Sequence, residues 1–151
     1  MPEQRSRDIT VNRRAFHDYF IDERYEAGLV LTGTEVKSLR AGKVNLRDGY
    51  VRLEGHEAWL ENVHISSYAQ GGYVNHEPLR SRKLLLHSKE IASLIGKVKQ
   101  RGYTLIPLRL YFARNRAKVE IGLGRGKRQY DKRHVLAEAD ARREMERALK
   151  R

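Results

Sequence analysis

Apolar and polar residues alternate along much of this 151-residue chain with the two-residue period of β-strands. Two hairpins are predicted, each from a pair of alternating segments joined by a short polar turn. They cover residues 50–53 with 57–65, around the turn 54–56, and residues 103–112 with 117–123, around the turn 113–116. Residues 19–31 and 79–87 are predicted to be extended as well.

Three helical segments separate these strands. The longest is predicted to start at its N-cap Ser88 and to end before Gly102, and its apolar stripe has the spacing i, i+3, i+4, i+7 from Ile91. Near the N-terminus, Asn12 is predicted to cap a single turn that contains Arg13.

The third helix is predicted directly after Gly33, with Thr34 as its N-cap and Gly42 as its left-handed terminator. Val36 and Leu39 lie three residues apart and share its apolar face. The polar side carries three cations that suit a phosphate-rich partner: Lys37, Arg40 and, just beyond the helix, Lys43. An ordinary solvated helix explains these charges equally well.

The order of elements predicts a mainly β fold, a small antiparallel OB-like barrel with a few peripheral helices. Strands follow one another across turns, without the strand–helix–strand alternation of a parallel sheet. We expect a flexible N-terminus over residues 1–10, the barrel over 11–123, and a basic C-terminal tail over 124–151 that is disordered when free.

Strand parity assigns side chains to the two faces of the barrel wall. Leu84 is predicted to point inward, so Lys83 and Leu85 point outward. Lys118 has the parity opposite to the inward Val119. An outward leucine among cations suits contact with a ribose or an unstacked base.

The same period makes two further predictions about the core. Trp59, Val63 and Ile65 share one parity, which predicts a buried tryptophan. Pro107 predicts an edge or a bulge in its strand. Four apolar residues of that strand are predicted to face inward together: Ile106, Leu108, Leu110 and Phe112.

Composition restricts the possible functions. The net charge of +12 favours nucleic acid as a partner, and after it an anionic membrane surface. No apolar run reaches the roughly 20 residues that a membrane-spanning helix needs, and the first residues lack the apolar centre of a signal peptide. The absence of cysteine excludes disulfides, thiolate zinc sites and cysteine nucleophiles. We therefore expect a cytoplasmic protein that binds a polyanion.

Catalytic motifs are missing from the sequence. The segment GLGRGKR has Arg128 after Lys127, where a phosphate-binding loop has Ser or Thr, and Ile121 replaces the first glycine of that motif. The six histidines lack metal-ligand spacing, and no recurring carboxylate pair indicates a two-metal nuclease. We expect no enzyme, no cofactor and no metal site.

Two segments without strand periodicity complete the chain. Residues 66–78 predict a loop whose aromatic side chains, Tyr68, Tyr73 and His76, form a weak hypothetical site for base stacking. In the tail, ten basic and five acidic residues accompany few large apolar side chains. Small or apolar residues recur there every four positions from Ala137 to Leu149, which indicates a thin helix that forms in an anionic groove.

Several segments closely resemble the SmpB (small protein B) family, bacterial proteins that bind transfer-messenger RNA (tmRNA). GTEVKSLRAGKVNLRDGYV resembles the family signature, and GRGKRQYDKRH resembles the family's basic tail segment. Further similar segments extend over nearly the whole chain: NRRAFHDYFIDERYEAGL, AWLENVHI, RKLLLHSKEI, TLIPLRLY and KVEIGLGRGK. DGY stands where the family usually has DSY, and Tyr130 fills a position often held by histidine.

The resemblance implies rescue of stalled ribosomes by trans-translation. The protein would bind the tRNA-like domain of tmRNA (SsrA RNA), mimic the missing anticodon arm, and help to deliver the RNA to a vacant A site. The tail would sense the empty mRNA channel of the stalled 70S ribosome, at the 16S rRNA decoding centre and the mRNA path. Elongation factor Tu and alanyl-tRNA synthetase would be indirect partners, and no membrane is involved.

The resemblance also implies two sets of site residues. Matching to the family makes Glu26, Leu85 and Lys118 the leading contacts to tmRNA, and an arginine pair is the structural alternative for Glu26. Charge and the NRRA segment add further tmRNA contacts: Lys37, Arg40, Lys83, Asn12 and Arg13. The set at the decoding centre and mRNA path is Gly126, Lys127, Tyr130, Asp131, Lys132 and Arg133.

Two other classes of protein remain open from the sequence. A general OB-fold RNA binder or a ribosomal protein shares the barrel and the charge, but it should bind ordinary tRNA or rRNA comparably well. A nuclease should degrade RNA in a reaction that depends on divalent ions.

Overall fold

Nine strands and three helices are formed by residues 8–68, 75–99 and 102–127, which are the residues that the computed structural model describes. The strands are β1 (Asp8–Val11), β2 (Tyr19–Leu29), β3 (Val44–Asn45), β4 (Tyr50–Glu54), β5 (Glu57–Glu61), β6 (His64–Ile65), β7 (Arg82–Leu85), β8 (Tyr103–Ala113) and β9 (Arg116–Gly126). The helices are α1 (Arg13–Asp18), α2 (Gly33–Arg40) and α3 (Ser88–Val98).

Seven strands form one sheet in the order β1-β8-β9-β2-β7-β5-β4, and β3 pairs with β6 in a second, two-stranded sheet. All of these pairings are antiparallel. The edge strand β4 also packs against β8, so the large sheet curls toward closure. The predicted fold class, a small antiparallel barrel that is mainly β with a few peripheral helices, is confirmed.

The main core fills the inside of this curled sheet, and a second cluster lies under α1. Leu105 and Leu110 of β8 belong to the main core, whereas Ile106 and Leu108 pack with Ala15 of α1. The prediction that Ile106, Leu108, Leu110 and Phe112 face inward together is therefore wrong. Its cause is a register shift between Pro107 and Arg109, which exchanges the two faces within the strand.

A glycine makes room for this second cluster. Gly122 of β9 pairs with Ile106, and a Cβ atom added at Gly122 would lie 2.9 Å from Leu108 Cδ1. The absence of a side chain at Gly122 thus allows Leu108 to lie flat on the sheet beneath α1.

The hairpin of β8 and β9 ends in the two-residue turn Arg114-Asn115. Both residues have positive φ, 52° and 65°, which is the conformation of a type I′ turn. Ala113 pairs with Arg116 directly before and after the turn. The predicted hairpin is confirmed, with each strand extending further toward the turn than the sequence indicates.

The hairpin of β4 and β5 is confirmed too, but the face of Trp59 is not. Ala58 and Leu60 are fully buried, whereas Trp59 is half-buried on the opposite face, under the Arg52 guanidinium at 5.9 Å from the ring centroid. The chain leaves the strand at Asn62, which has φ 57°. Side-chain alternation therefore does not continue from Trp59 to the buried residues beyond the break.

Two helices begin one or two residues earlier than predicted. The N-cap of α2 is Thr32, which forms a capping box with Glu35, and Gly33 is the first helical residue. His87, rather than Ser88, caps α3, and its backbone N–H donates to Glu90 Oε1 at 3.1 Å. The terminator of α2 is placed as predicted, since Gly42 has φ 72°.

The two boundaries of the barrel also move. β1 begins at Asp8 and pairs with β8, inside the range expected to be a flexible N-terminus. β9 continues to Gly126, which pairs with Tyr19, inside the range expected to be tail. Backbone pairing with a neighbouring strand extends the barrel at both ends. The rest of the predicted tail lies outside the described residues.

A buried ion pair holds α2 and β7 together. Glu35 of α2 and Arg82 of β7 both have fully buried side chains, and Arg82 Nε donates to Glu35 Oε2 at 2.5 Å. Arg80 Nη2 donates to Glu35 Oε1 at 2.6 Å. Burial disfavours the charged form of Glu35, but hydrogen bonds from Arg80, the Thr32 backbone and Arg82 outweigh it and lower the pKa of Glu35 from 4.5 to about 2.

Candidate nucleic-acid interface

A single row of paired residues crosses four strands on the outer face of the sheet. Gly28 of β2 pairs with Leu85 of β7 on one side and with Lys118 of β9 on the other. Lys118 in turn pairs with Tyr111 of β8. Directly paired residues have side chains on the same face, so Leu85 and Lys118 flank the bare backbone of Gly28.

Leu85 is the most exposed large apolar side chain of the described residues, at 55%. Its neighbour Leu84 is buried in the main core, which confirms the predicted orientation of both leucines. A Cβ atom added at Gly28 would lie 3.2 Å from Leu85 Cβ. The glycine therefore leaves the space that the Leu85 side chain uses.

Glu26 lies on the same face, two residues before Gly28 on β2. Its carboxylate Oε2 accepts a hydrogen bond from the Tyr111 hydroxyl. The expected structural alternative, a pair with an arginine, is not formed within the described part of the chain. Burial and the hydrogen bond to Glu26 raise the pKa of Tyr111, so its hydroxyl stays protonated and donates.

Two adjoining grooves bring the leading site residues together. The larger encloses about 830 Å³ and is lined by Glu26, Phe112, Ala113, Arg114, Arg116 and Lys118. The smaller encloses about 290 Å³, includes Gly28 and Leu85, and shares Arg116 and Lys118 with the first. Glu26, Leu85 and Lys118 thus border one continuous cationic surface, which we call the outer groove.

Two cations of the outer groove escaped the sequence analysis. Arg114 belongs to the turn between β8 and β9, and Arg116 is the first residue of β9. Both line the larger groove with Lys118. The available signal was their position in a hairpin turn next to Lys118, since a turn projects its side chains beyond the end of the sheet.

Glu120 pairs directly with Glu26, but its charge is compensated by other residues. Arg24 Nη1 lies 3.3 Å from Glu120 Oε1, and Arg109 Nη2 lies 3.4 Å from Glu120 Oε2. Arg109 also pairs with Asp8 at 2.6 Å. These arginines reduce the repulsion expected between two carboxylates on directly opposed strand positions.

One cation of α2, Arg40, contacts a residue that lines the outer groove. The Arg40 guanidinium lies 5.3 Å from the ring centroid of Phe112, a residue that lines the larger groove. Lys37 is exposed on the same helix, and its ammonium lies 5.4 Å from the Tyr68 ring centroid. Lys83 projects from the same face as Leu85 but pairs with Glu57 at 3.0 Å.

Asn12 does not fit the predicted contact with RNA. Its side chain is 5% exposed, accepts from the Ala15 backbone at 3.2 Å, and donates to the carbonyls of Pro107 at 3.0 Å and Leu46 at 3.3 Å. All of these hydrogen bonds of the Asn12 amide are internal: they cap α1 and join it to the segments that contain Leu46 and Pro107. Arg13 is exposed on α1 but does not line the outer groove.

The described part of the predicted loop contains a structural histidine. His76 is 7% exposed, and its ring nitrogens bond to Thr34 Oγ1 at 2.9 Å and to the Ile65 carbonyl at 2.8 Å. These bonds join the loop to α2 and β6, and the burial of His76 leaves its ring no accessible face for stacking on a base. Tyr73 lies outside the described residues.

Only two members of the predicted decoding-centre set fall within the described residues. Gly126 ends β9, and Lys127 Nζ donates to the Phe16 carbonyl at 3.4 Å and lies 5.1 Å from the Phe20 ring centroid. These contacts join the start of the predicted tail to α1 and β2. The other four members lie outside the described residues: Tyr130, Asp131, Lys132 and Arg133.

The described ranges contain neither a metal-ligand cluster nor a membrane-spanning helix. Among residues 8–68, 75–99 and 102–127, no three side chains of His, Cys, Asp or Glu form a group that could hold a metal ion. No helix in those ranges has the length and apolar character needed to cross a membrane.

The fold and the outer groove define a small antiparallel β-barrel protein with a cationic surface beside an exposed leucine. A sequence model of the family described as "SmpB protein" matches residues 9–151. The chain belongs to the SmpB family.

Similar proteins from bacteria carry the name "SsrA-binding protein". The chain is 57% identical to one from Bacillus cytotoxicus over 99% of this chain and 97% of that protein. It is 62% identical to one from Roseiflexus sp. (strain RS-1), over 95% of this chain and 92% of that protein.

A solved structure is similar to this chain as well. It is described as "tmRNA-SmpB: a journey to the center of the bacterial ribosome" and shares 56% sequence identity, with a TM-score of 0.67. The match covers 78% of this chain and 83% of the chain in that structure.

Proposed function

We propose that this chain binds the SsrA RNA, tmRNA, and acts with it on stalled ribosomes in trans-translation. It is an RNA-binding protein of the bacterial cytoplasm and has no catalytic role of its own. The geometric observation that carries the proposal is the row formed by Leu85, Gly28 and Lys118, with Glu26 on the same face. In a chain 57% identical to an SsrA-binding protein, the three leading contacts, Glu26, Leu85 and Lys118, thus lie on one face of the sheet.

Each side chain of the outer groove offers a different kind of contact to RNA. Leu85 presents an apolar surface to a ribose or an unstacked base. Lys118, Arg114 and Arg116 supply charge to phosphates, which makes the affinity dependent on salt. The Glu26 carboxylate accepts hydrogen bonds from base or ribose donors, which phosphate cannot offer. Shape and loop nucleotides, rather than duplex sequence, are therefore what this surface recognises.

The RNA segment that suits this surface is the tRNA-like domain of tmRNA, with the protein in the place of the missing anticodon arm. Arg40 and Lys37 extend the cationic surface along α2. Elongation factor Tu and alanyl-tRNA synthetase are indirect partners through the same RNA. The tail senses the empty mRNA channel, because mRNA and tail cannot occupy it together, and Tyr130 stacks on an rRNA base there.

A competition experiment tests the binding proposal. The full chain is titrated at physiological salt against the tRNA-like domain of tmRNA and against an elongator tRNA. A dissociation constant at least tenfold lower for the tRNA-like domain supports the proposal. Equal binding to both RNAs would place the chain among general OB-fold RNA binders, and degradation of either RNA with Mg²⁺ would indicate a nuclease.

The role of the tail is tested separately in the full chain. Lys132→Glu combined with Arg133→Glu reverses two charges of the decoding-centre set. We expect binding to the tRNA-like domain to be unchanged and peptide tagging on stalled ribosomes to be lost. Loss of binding to the isolated RNA domain would show instead that the tail belongs to the tmRNA contact.

A further inference from the structure

Tyr111 is a buried residue whose hydroxyl reaches the outer groove. Its side chain is 3% exposed, and it belongs to β8, which is separated from β2 by β9. The hydroxyl nevertheless crosses β9 and donates to Glu26 on β2. A buried tyrosine needs a partner for its hydroxyl, and here that partner is an exposed carboxylate of the outer groove.

The Tyr111 ring is itself held in place. The Arg109 guanidinium lies 4.4 Å from its ring centroid and pairs at the same time with Asp8 and Glu120. The ring is packed between strand and guanidinium, so the hydroxyl has a defined position. Its raised pKa keeps it a donor at physiological pH.

The two neighbouring carboxylates, Glu26 and Glu120, accept hydrogen bonds from different kinds of donor. Glu120 accepts hydrogen bonds from two arginines, Arg24 and Arg109, so its negative charge is neutralised within the protein. Glu26 receives one neutral donor on Oε2, and its Oε1 accepts no hydrogen bond from the described residues. A neutral phenol orients a carboxylate without cancelling its charge, whereas an arginine would do both.

We propose that Tyr111 is a positioning residue for RNA recognition. Its hydroxyl fixes the Glu26 carboxylate in the orientation in which Oε1 accepts a hydrogen bond from an RNA donor, a base N–H or a 2′-hydroxyl. This inference rests on the proposed binding of tmRNA through the outer groove. Without the Tyr111 hydroxyl, the Glu26 carboxylate would rotate freely in water. Binding of RNA would then have to fix its orientation, which weakens the affinity.

A double-mutant cycle in the full chain tests the inference. Dissociation constants for the tRNA-like domain are measured for wild type, Tyr111→Phe, Glu26→Ala and the double variant. Tyr111→Phe should weaken binding by about three- to tenfold, the effect of one hydrogen bond. In the Glu26→Ala background the same substitution should change binding by less than about twofold.

The chain offers a matched control for the loss of a tyrosine hydroxyl. Tyr25 also donates its hydroxyl to a glutamate, Glu23, but on the part of β2 that contacts Lys97 of α3. Tyr25→Phe removes the same atom from the same kind of bond and should leave RNA binding within about twofold of wild type. An equal loss of binding in both variants would assign the effect to general destabilisation and would overturn the inference.

A second variant keeps the tyrosine intact. Glu26→Asp preserves the charge but withdraws the carboxylate from the Tyr111 hydroxyl by one methylene, so it should weaken binding as much as Tyr111→Phe. Independent effects of Tyr111→Phe and Glu26→Ala, or wild-type affinity in Tyr111→Phe or in Glu26→Asp, would overturn the positioning role. These results leave the preference of wild type for the tRNA-like domain unaffected, whereas loss of that preference would refute the proposed function itself.

Discussion

Leu85 and Lys118 lie on opposite sides of the same residue, Gly28, in one row across β7, β2 and β9. Because Gly28 has no side chain, its backbone forms a shallow depression between the apolar side chain of Leu85 and the cationic side chain of Lys118. An unstacked base or a ribose can approach the backbone there while a phosphate meets the lysine. Leu85 and Lys118 are 33 positions apart in the sequence, and antiparallel pairing of β7 and β9 with β2 brings them together.

A side chain at Gly28 should therefore impair RNA binding more than folding. In Gly28→Ala the added Cβ lies 3.2 Å from Leu85 Cβ, so Leu85 must shift by a few tenths of an ångström. The new methyl group also occupies the space above the Gly28 backbone. We expect binding to the tRNA-like domain to weaken by about threefold or more, since each contact is worth about 1 kcal/mol. Gly96→Ala in α3, where nothing lies within 4 Å, is the control and should leave binding unchanged.

The Glu35–Arg82 ion pair predicts acid sensitivity. The pKa of Glu35 is lowered to about 2 in the folded chain from 4.5, so the folded state holds the carboxylate more firmly ionised than the unfolded state does. This stabilisation is fully present above about pH 4.5 and is lost as the pH falls from there toward 2. It amounts to about 3 kcal/mol in total.

Urea unfolding between pH 7 and pH 3 measures this effect. The comparison is with Glu35→Gln combined with Arg82→Met, which removes both charges and avoids a buried unpaired arginine. The free energy of unfolding of wild type should fall more steeply below pH 4.5 than that of the double variant. Parallel curves would show that Glu35 does not titrate differently in the two states.

Asn12→Ala should act on stability and not on RNA contacts. The substitution removes the cap of α1 and leaves the carbonyls of Leu46 and Pro107 without their donor. We expect a loss of about 2 to 4 kcal/mol in the free energy of unfolding, from the cap and the buried polar groups together. The folded fraction should bind RNA with wild-type affinity. Weakened binding at full folding would return Asn12 to the RNA-binding surface.

The hairpin turn of β8 and β9 predicts opposite effects on stability and binding. Arg114 has φ 52°, a conformation that Asn adopts more readily than Arg in a type I′ turn. Arg114→Asn should raise the free energy of unfolding by a few tenths of a kcal/mol. It also removes a cation of the outer groove, so the slope of log affinity against log salt should decrease by about one if Arg114 contacts a phosphate. An unchanged slope would remove Arg114 from the contacts.

The elements of the fold were predictable because their signals are local. The type I′ hairpin lies between two alternating apolar segments, and the stripe of α3 has helical spacing. The errors come from single residues that reset the period: the register shift after Pro107 exchanges the faces of β8, and the positive φ of Asn62 separates Trp59 from Val63. Alternation predicts a face only as far as the strand continues unbroken.

The candidate site was predictable in part for the same reason. Leu85 and Lys118 follow from parity within one strand each, and the structure places both outward. Tyr111 was missed because its role depends on crossing β9 to reach Glu26, a residue 85 positions away. The buried hydrogen bonds of Asn12 could not be inferred from the sequence, because its partner Pro107 lies 95 positions away. Only the three-dimensional register reveals such partners.

The most direct test of the outer groove uses two adjacent leucines. Methyl NMR signals of Leu84 and Leu85 are followed while the full chain is titrated with the tRNA-like domain of tmRNA. Leu85 is 55% exposed and Leu84 only 2%, so contact with an RNA base or ribose should shift the Leu85 methyl signals strongly and those of Leu84 little. Saturating RNA binding with the Leu85 signals unmoved would contradict the account and place the RNA on another surface of the barrel.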